Sequence, residues 1–291
     1  MNDYVLSVLL GVVEGLTEFL PVSSTAHLRI TEALLHISLT DPYWKMYTIV
    51  IQLGAILALF LLFAGRIVNF FRTFPKGENG DRTQWTHPLT LTLIAFVVTA
   101  IPSLLLTKTI GKHLESLRVM ALSLLIGGVV MWVVDVWSNR NEPITKDVEE
   151  MSLGQAIWIG FCQVASAVFP GTSRSMSTIT AGQLAGMSRP AALEFSFLVS
   201  IPTMFAATGY DLLKTLHPKH VAGAEALAPL VMNAHGWIVL AIGFVVSFFV
   251  ALIVVEWFLQ YVRTHGFTAF AIYRILVGIA LLAWGAKLAA G

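Results

Sequence analysis

Charged residues are scarce in this chain. Asp, Glu, Lys and Arg make up 12% of its 291 residues, where a soluble domain carries about 25%. With 56% hydrophobic residues and a mean hydropathy of +0.77, that scarcity excludes a water-soluble globular protein. A single cysteine, Cys162, excludes an internal disulfide and says little about compartment. The formal net charge is +1 and no basic tract occurs, so nucleic acid is not an expected partner. The start, Met1-Asn2-Asp3, has no basic stretch ahead of an apolar one and reads as mature protein rather than a signal peptide.

Long apolar runs are abundant. Stretches near 43–64, 89–106, 118–138, 191–213, 237–260 and 268–289 reach the roughly 20 residues that span a bilayer. The eight Trp residues fall mostly near the ends of these runs, as an interfacial belt would. Two further apolar segments, near 4–37 and 153–187, are interrupted by proline and by polar residues. They resemble each other: Gly11 falls on Gly160, Glu14 on Gln163, Pro21 on Pro170 and Ser24 on Ser173 at an offset of 149. Phe96-Val97-Val98-Thr99 likewise matches Phe244-Val245-Val246-Ser247.

Each half therefore holds one broken hairpin and three spans, with a polar linker, 139–152, between them. An odd number of spans starts the second half on the opposite side of the bilayer. The expected fold is an all-α integral membrane protein: six full transmembrane helices plus two broken re-entrant hairpins in an inverted-topology repeat. The repeats are 1–138 and 153–291. In that arrangement half-helices meet near the midplane and bind ions. Asp41-Pro42 reads as a helix cap with proline at the first position, Ser152 to Gln155 as a capping box, and Ser188-Arg189-Pro190 as another helix start. Segment 65–88 reads as a polar loop whose Arg66, Arg72, Lys76 and Arg82 favour the cytoplasm. Lys108, Lys112, Lys214 and Lys219 set against Arg140, Lys146 and Arg263 leave orientation undecided by charge.

The polar residues inside the broken segments are the candidates for chemistry. Glu14 and Glu18 share a helix face. Like charges at that spacing are unfavourable in lipid unless solvated, protonated or bridged by a cation. With no Cys or His pair nearby, hard carboxylates suit Mg²⁺ or Ca²⁺ rather than zinc. Ser23, Ser24 and Thr25 follow Pro21, and His27 lies one turn after Ser24. Helix capping explains the hydroxyls, and a nucleophile with its base explains Ser24 with His27. In the second segment Thr172, Ser173, Ser175 and Thr178 surround Arg174 after Pro170-Gly171. A helix N-terminus with a guanidinium is an anion site, and phosphate suits it; pairing with Glu14, Glu18 or Glu194 is the competing reading. Glu194, Glu256 and Arg274 read first as packing or interfacial charges.

Taken together, Glu14-Gly-Leu-Thr-Glu18-Phe-Leu-Pro21-Val-Ser-Ser24-Thr25-Ala-His27 and Pro170-Gly171-Thr-Ser173-Arg174-Ser175 closely resemble the undecaprenyl-diphosphate phosphatases of the bacitracin-resistance type. The resemblance extends to Ile51-Gln52-Leu53-Gly54, Glu194 to Leu198 and Ala271-Ile272-Tyr273-Arg274. It implies hydrolysis of undecaprenyl pyrophosphate in the bacterial plasma membrane, with a divalent metal and a site open to the periplasmic side. It matches Glu14 and Glu18 to the family's acidic motif, Ser24 to its nucleophile, His27 to its essential histidine and Arg174 to its phosphate-binding arginine. Thr25, Ser23, Thr172, Ser173, Ser175 and Thr178 are expected as substrate-binding hydroxyls. His27 as nucleophile with Ser24 as donor stays open. Two departures are Ala26 and Met176, where glycine is common in the family. Expected partners are the lipid substrate and membrane lipids, and a homodimer is allowed. The rival class is a polyprenyl-phosphate or anion transporter, since inverted repeats with broken helices are a transporter architecture.

Overall fold

The computed structural model describes residues 2–37, 41–106, 116–216 and 232–290. Lys108, Lys112 and Lys219, weighed above for orientation, lie outside the described residues. The first half contains α1 (Asp3–Thr17), α2 (Ser24–Leu34), α3 (Pro42–Leu62), α4 (Ala64–Thr73), α5 (Pro88–Leu105) and α6 (Leu117–Ser138). A short 3-10 turn, Val148–Glu150, leads to α7 (Leu153–Val168), α8 (Arg174–Leu184), α9 (Arg189–Leu216), α10 (Ala234–Thr264) and α11 (Thr268–Ala290). Five of these helices, α3, α5, α6, α9 and α10, are long and apolar enough to cross a bilayer. The sixth expected span coincides with α11, which runs Thr268–Ala290 and is apolar over Thr268–Trp284.

Helix starts follow the local chemistry of the sequence. Asp41 accepts hydrogen bonds from Tyr43 N and Trp44 N ahead of Pro42. Ser152 and Gln155 form a reciprocal capping box, and the Ser188 hydroxyl accepts from Ala191 N. Segment 65–88 differs from the expected polar loop, because its first part is α4. Ile67 and Phe70, one turn apart, pack on the core. Arg66, within α4, pairs with Glu194 at 2.7 Å and Glu149 at 2.6 Å, so the helix is amphipathic.

The two hairpins break for the same reason. Proline cannot continue a helix through its missing N–H, and α1 and α7 stop short of Pro21 and Pro170. The next helices are capped by Ser23 and Ser173, which accept from Ala26 N and Met176 N. Both serines adopt a left-handed backbone, φ 74° and 72°. These caps match at an offset of 150, because Pro170–Ser173 is one residue longer than Pro21–Ser23. Sequence identity aligned Ser24 with Ser173; the caps instead align Ser24 with Arg174.

Packing is exchanged between the halves. Helix α1 lies on α10, and α7 lies on α5. The crossings are equivalent: a Cβ on Gly11 would sit 2.7 Å from the Gly243 carbonyl oxygen, and one on Gly160 would sit 2.5 Å from that of Ala95. Thr99 donates to Gly160 O and Ser247 to Ile51 O, both at 2.7 Å, giving polar groups in the spans local partners. Helices α6 and α11 pack on each other. There Gly128 meets Ala271 O and Gly278 meets Ala121 O, each at 2.8 Å from a notional Cβ. Those reciprocal contacts run in opposite directions along the two helices, so α6 and α11 are antiparallel.

Candidate active site

Glu18 is the meeting point of the two hairpins. It stands just past the end of α1, with a side chain 9% exposed. The Ser24 hydroxyl donates to its Oε2 in a short hydrogen bond. Arg174 Nη2 donates to its Oε1 at 3.2 Å. One carboxylate thus holds a hydroxyl from the first break and a guanidinium from the second. Ser175, fully buried, donates to the Glu18 carbonyl oxygen at 3.5 Å.

Arg174 is not exhausted by this pairing. Its Nε and Nη1 are buried with no hydrogen-bond partner among the described residues, and the guanidinium lies 5.9 Å from the Phe19 ring. Unpaired buried donors are costly, so these N–H groups call for an acceptor. Arg174 is also part of the wall of a cavity of about 570 Å³, with Glu18, Ser23, Ser24, Thr25 and Ser173. Its other walls come from α3, α5, α7 and α9, with Phe96, Ala100, Leu104, Met204 and Ala207 of α5 and α9 forming an apolar flank. A polar floor beside an apolar wall suits an amphiphile with a charged head.

Glu14 is fully buried and does not line the cavity. Neither of its carboxylate oxygens receives a hydrogen bond from a described residue, and its charged neighbours are Glu18 and Arg174. A carboxyl in that position, facing Glu18, needs either a proton shared with Glu18 or a cation. Among the described residues no group of three or more His, Cys, Asp and Glu gathers as a complete metal cage. The orphaned oxygens of Glu14 beside Glu18 nevertheless fit Mg²⁺, which is commonly held by one or two carboxylates and completed by substrate phosphates.

Other expected residues are spent elsewhere. His27 does not line the cavity. Its Nδ1 contacts Ser23 O and its Nε2 the Tyr273 hydroxyl, each at 2.7 Å. The Ser24 hydroxyl is given to Glu18, so the carboxylate rather than His27 stands where a base would act. The Thr178 hydroxyl bonds within α8 and to Ser196 at 2.6 Å. Thr172 is absent from the cavity wall. Met176 is 5% exposed and packs in the core; its extra bulk points away from the cavity.

Two features escaped the sequence. Gln52, Gln163 and Thr203 line the cavity, and polar residues within apolar runs were the available signal. Arg274 is fully buried and donates to Pro21 O and Gly171 O, one carbonyl from each break. A charged residue inside a span is a functional candidate by default, and that was its signal.

Comparison with known proteins shows the family of the chain. The chain is 68% identical to the undecaprenyl-diphosphatase of Koribacter versatilis (strain Ellin345) over 287 residues, covering 99% of this chain and 100% of the relative. It is 43% identical to the undecaprenyl-diphosphatase of Rhizobium etli (strain CIAT 652), covering 96% of each. The undecaprenyl-diphosphatase of Thermus thermophilus is 42% identical, with 92% of each covered. A family pattern described as bacitracin resistance protein BacA matches residues 7–280, both hairpins included. This multi-pass, all-helical membrane chain belongs to the bacitracin resistance protein BacA family.

Proposed function

We propose that the chain is an undecaprenyl-diphosphatase, a membrane phosphatase releasing undecaprenyl phosphate and inorganic phosphate from undecaprenyl diphosphate and so recycling the lipid carrier of cell-wall synthesis. The observation that carries the chemistry is Glu18 holding the Ser24 hydroxyl on one oxygen and Arg174 on the other. The diphosphate head enters the cavity and accepts hydrogen bonds from Arg174 Nε and Nη1, the donors left free by Glu18. Ser24 passes its proton to Glu18 as its Oγ attacks the terminal phosphorus. The anhydride bond to the bridging oxygen breaks, and undecaprenyl phosphate departs with that oxygen. Water then attacks the phosphoserine, its proton taken by a carboxylate, and inorganic phosphate leaves with the Ser24 hydroxyl restored. Phosphoryl transfer of this kind depends on positioning and charge neutralisation.

Glu14 and Glu18 are the residues that would hold a divalent cation, Mg²⁺ or Ca²⁺. When bound it would neutralise charge on the diphosphate oxygens. The isoprenoid tail follows the apolar flank between α5 and α9. The halves 1–138 and 153–291 form an inverted-topology repeat, a reading supported by antiparallel α6 and α11. The site faces the outer side of the bacterial plasma membrane, where released diphosphate carrier would be met. Phosphate release from undecaprenyl diphosphate by the purified protein in detergent tests the proposal. Release that is abolished by Arg174→Ala and by EDTA is expected. Intact wild-type protein that releases no phosphate with Mg²⁺ or Ca²⁺ supplied overturns it.

A further inference from the structure

Arg274 sits at zero exposure with three carbonyl partners: Pro21 O at 3.0 Å through Nη1, and Gly171 O at 3.1 Å and Ser123 O at 3.2 Å through Nη2. No carboxylate is among its hydrogen-bond partners in the described residues. A cation so placed in a membrane interior is costly, and an apolar side chain of similar size would avoid that cost. What the guanidinium supplies is donors for carbonyls that the two helix breaks leave without amides. Pro21 and Gly171 lie just ahead of the two cap serines. One rigid, planar group therefore sets the distance between the breaks that present Ser24 and Arg174. Room for it is kept by Gly127, where a Cβ would lie 2.5 Å from Arg274 Nη2 and 2.8 Å from Met176 Cε.

The preceding residue on α11 holds the first hairpin a second time. The Tyr273 ring stacks on His27 with centroids 5.6 Å apart and planes at 12°, and its hydroxyl meets His27 Nε2. A carbonyl oxygen only accepts hydrogen bonds, so the contact with Ser23 O puts a proton on His27 Nδ1. Nε2 of the neutral ring then accepts the Tyr273 O–H. Both nitrogens are engaged, and neither contacts the Ser24 hydroxyl. The carbonyl that His27 holds belongs to Ser23, the residue kept at φ 74° directly before Ser24. Such a backbone persists only where its surroundings fix it.

We propose that Tyr273 and Arg274 form a clasp that locks the two hairpins in register, and that His27 is a positioning residue held by this clasp rather than the base that activates Ser24. Its consequence for catalysis rests on the proposed diphosphatase activity; its geometry does not. A displacement of about 1 Å at a reacting group costs about a hundredfold in rate, which is the sensitivity such a clasp exploits.

The test uses the full chain in detergent, with ¹⁵N-labelled histidine and with kinetics on undecaprenyl diphosphate. His27, assigned by its loss in His27→Gln, is expected in the Nδ1–H form, and Tyr273→Phe is expected to shift its Nε2 signal. In Tyr273→Phe, kcat falls by about tenfold while KM moves by about twofold or less. His27→Gln keeps the shape of the pH–rate profile, and losses from Tyr273→Phe and His27→Gln do not add. Arg274→Lys, which retains charge but loses the planar fork, lowers kcat further. If Arg274→Lys does not fold, Tyr273→Phe decides, since it removes one oxygen from a half-exposed side chain. A proton on Nε2 overturns the clasp, as does a pH–rate limb that disappears with His27, or an unchanged kcat in Tyr273→Phe. Wild-type protein without hydrolysis sinks the diphosphatase reading, while the nitrogen signals still decide the clasp.

Discussion

Ser24 and Arg174 occupy the same place in two hairpins, each the first residue of a helix behind a serine cap with positive φ, and both bind the carboxylate of Glu18. The equivalence divides the labour: one break offers a nucleophile and the other a cation, and Glu18 brings them together. Arg174→Ala is expected to lower the rate of phosphate release by about 10²–10³, the cost of losing a preorganised donor to the reacting phosphate. Arg174→Lys restores only part, because the three N–H groups of one ammonium nitrogen lack the planar fork that reaches Glu18 from one edge and a phosphate from another. A wild-type rate in Arg174→Lys would show that charge alone matters, and equal rates for the two variants that charge without the planar fork contributes nothing.

Glu14 carries the second prediction. Its carboxylate is fully buried with no donor among the described residues, while its partner by sequence, Gln163, is buried as an amide. Glu14→Gln keeps the shape and removes the charge. The variant is expected to unfold at a higher temperature than wild type in EDTA, because one of two buried carboxyls facing each other is replaced by a neutral amide. It is also expected to release phosphate at least about a hundredfold more slowly. Added Mg²⁺ should raise the unfolding midpoint of wild type, by mass action on the folded state, and leave that of Glu14→Gln unmoved. A variant that responds to Mg²⁺ as wild type does would remove Glu14 from the cation site.

The sequence made the spans, the broken hairpins and the need of Arg174 for an anionic partner accessible because each rests on a local rule, while Glu18 was one of three carboxylates in the competing reading. Apolar length marks a span, proline ends a helix, and a lone arginine between apolar runs needs an anion. What stayed hidden depends on partners distant in the chain. Arg274 reaches Pro21 O and Gly171 O across 253 and 103 positions, and backbone carbonyls leave no trace in side-chain patterns. His27 looked like the base for Ser24 because one helical turn separates them, yet Tyr273, 246 positions away, takes its Nε2. The one-residue slip between the hairpins was invisible for a different reason. Matching serines favoured the offset of 149, and only the positive φ of both caps reveals 150. Segment 65–88 misled through its composition, since Arg66 and Arg72 lie within α4, an amphipathic helix that tolerates them.

The helix crossings give a prediction with opposite signs at two glycines. A methyl at Gly160 would meet the Ala95 backbone at three atoms between 2.5 and 3.1 Å, and backbone cannot rotate away. Gly160→Ala is expected to destabilise by about 1–3 kcal/mol, as overpacking does. Gly65 opens α4 with nothing within 4 Å of a notional Cβ. Gly65→Ala is expected to stabilise by up to about 1 kcal/mol through helix propensity. Thermal unfolding of both variants in the same detergent measures the difference, and a Gly160→Ala protein as stable as Gly65→Ala would mean that α5 and α7 do not cross so closely.

Ser173 separates backbone strain from side-chain chemistry. Its φ of 72° lies where glycine is at ease and other residues are strained, and its hydroxyl accepts from Met176 N at 3.3 Å. Alanine loses the hydrogen bond and keeps the strain. Glycine loses the bond and relieves the strain, and as a cap it costs only a few tenths of a kcal/mol. Ser173→Gly is therefore expected to be more stable than Ser173→Ala by about 1–2 kcal/mol, the sum of cap and backbone terms. If the serine serves only to turn the chain toward Arg174, Ser173→Gly also keeps most of the wild-type rate of phosphate release. If its hydroxyl, which lines the cavity, holds the diphosphate as well, both variants lose activity alike while differing in stability. Measuring unfolding midpoint and phosphate release on the same preparations distinguishes a cap from a binding group.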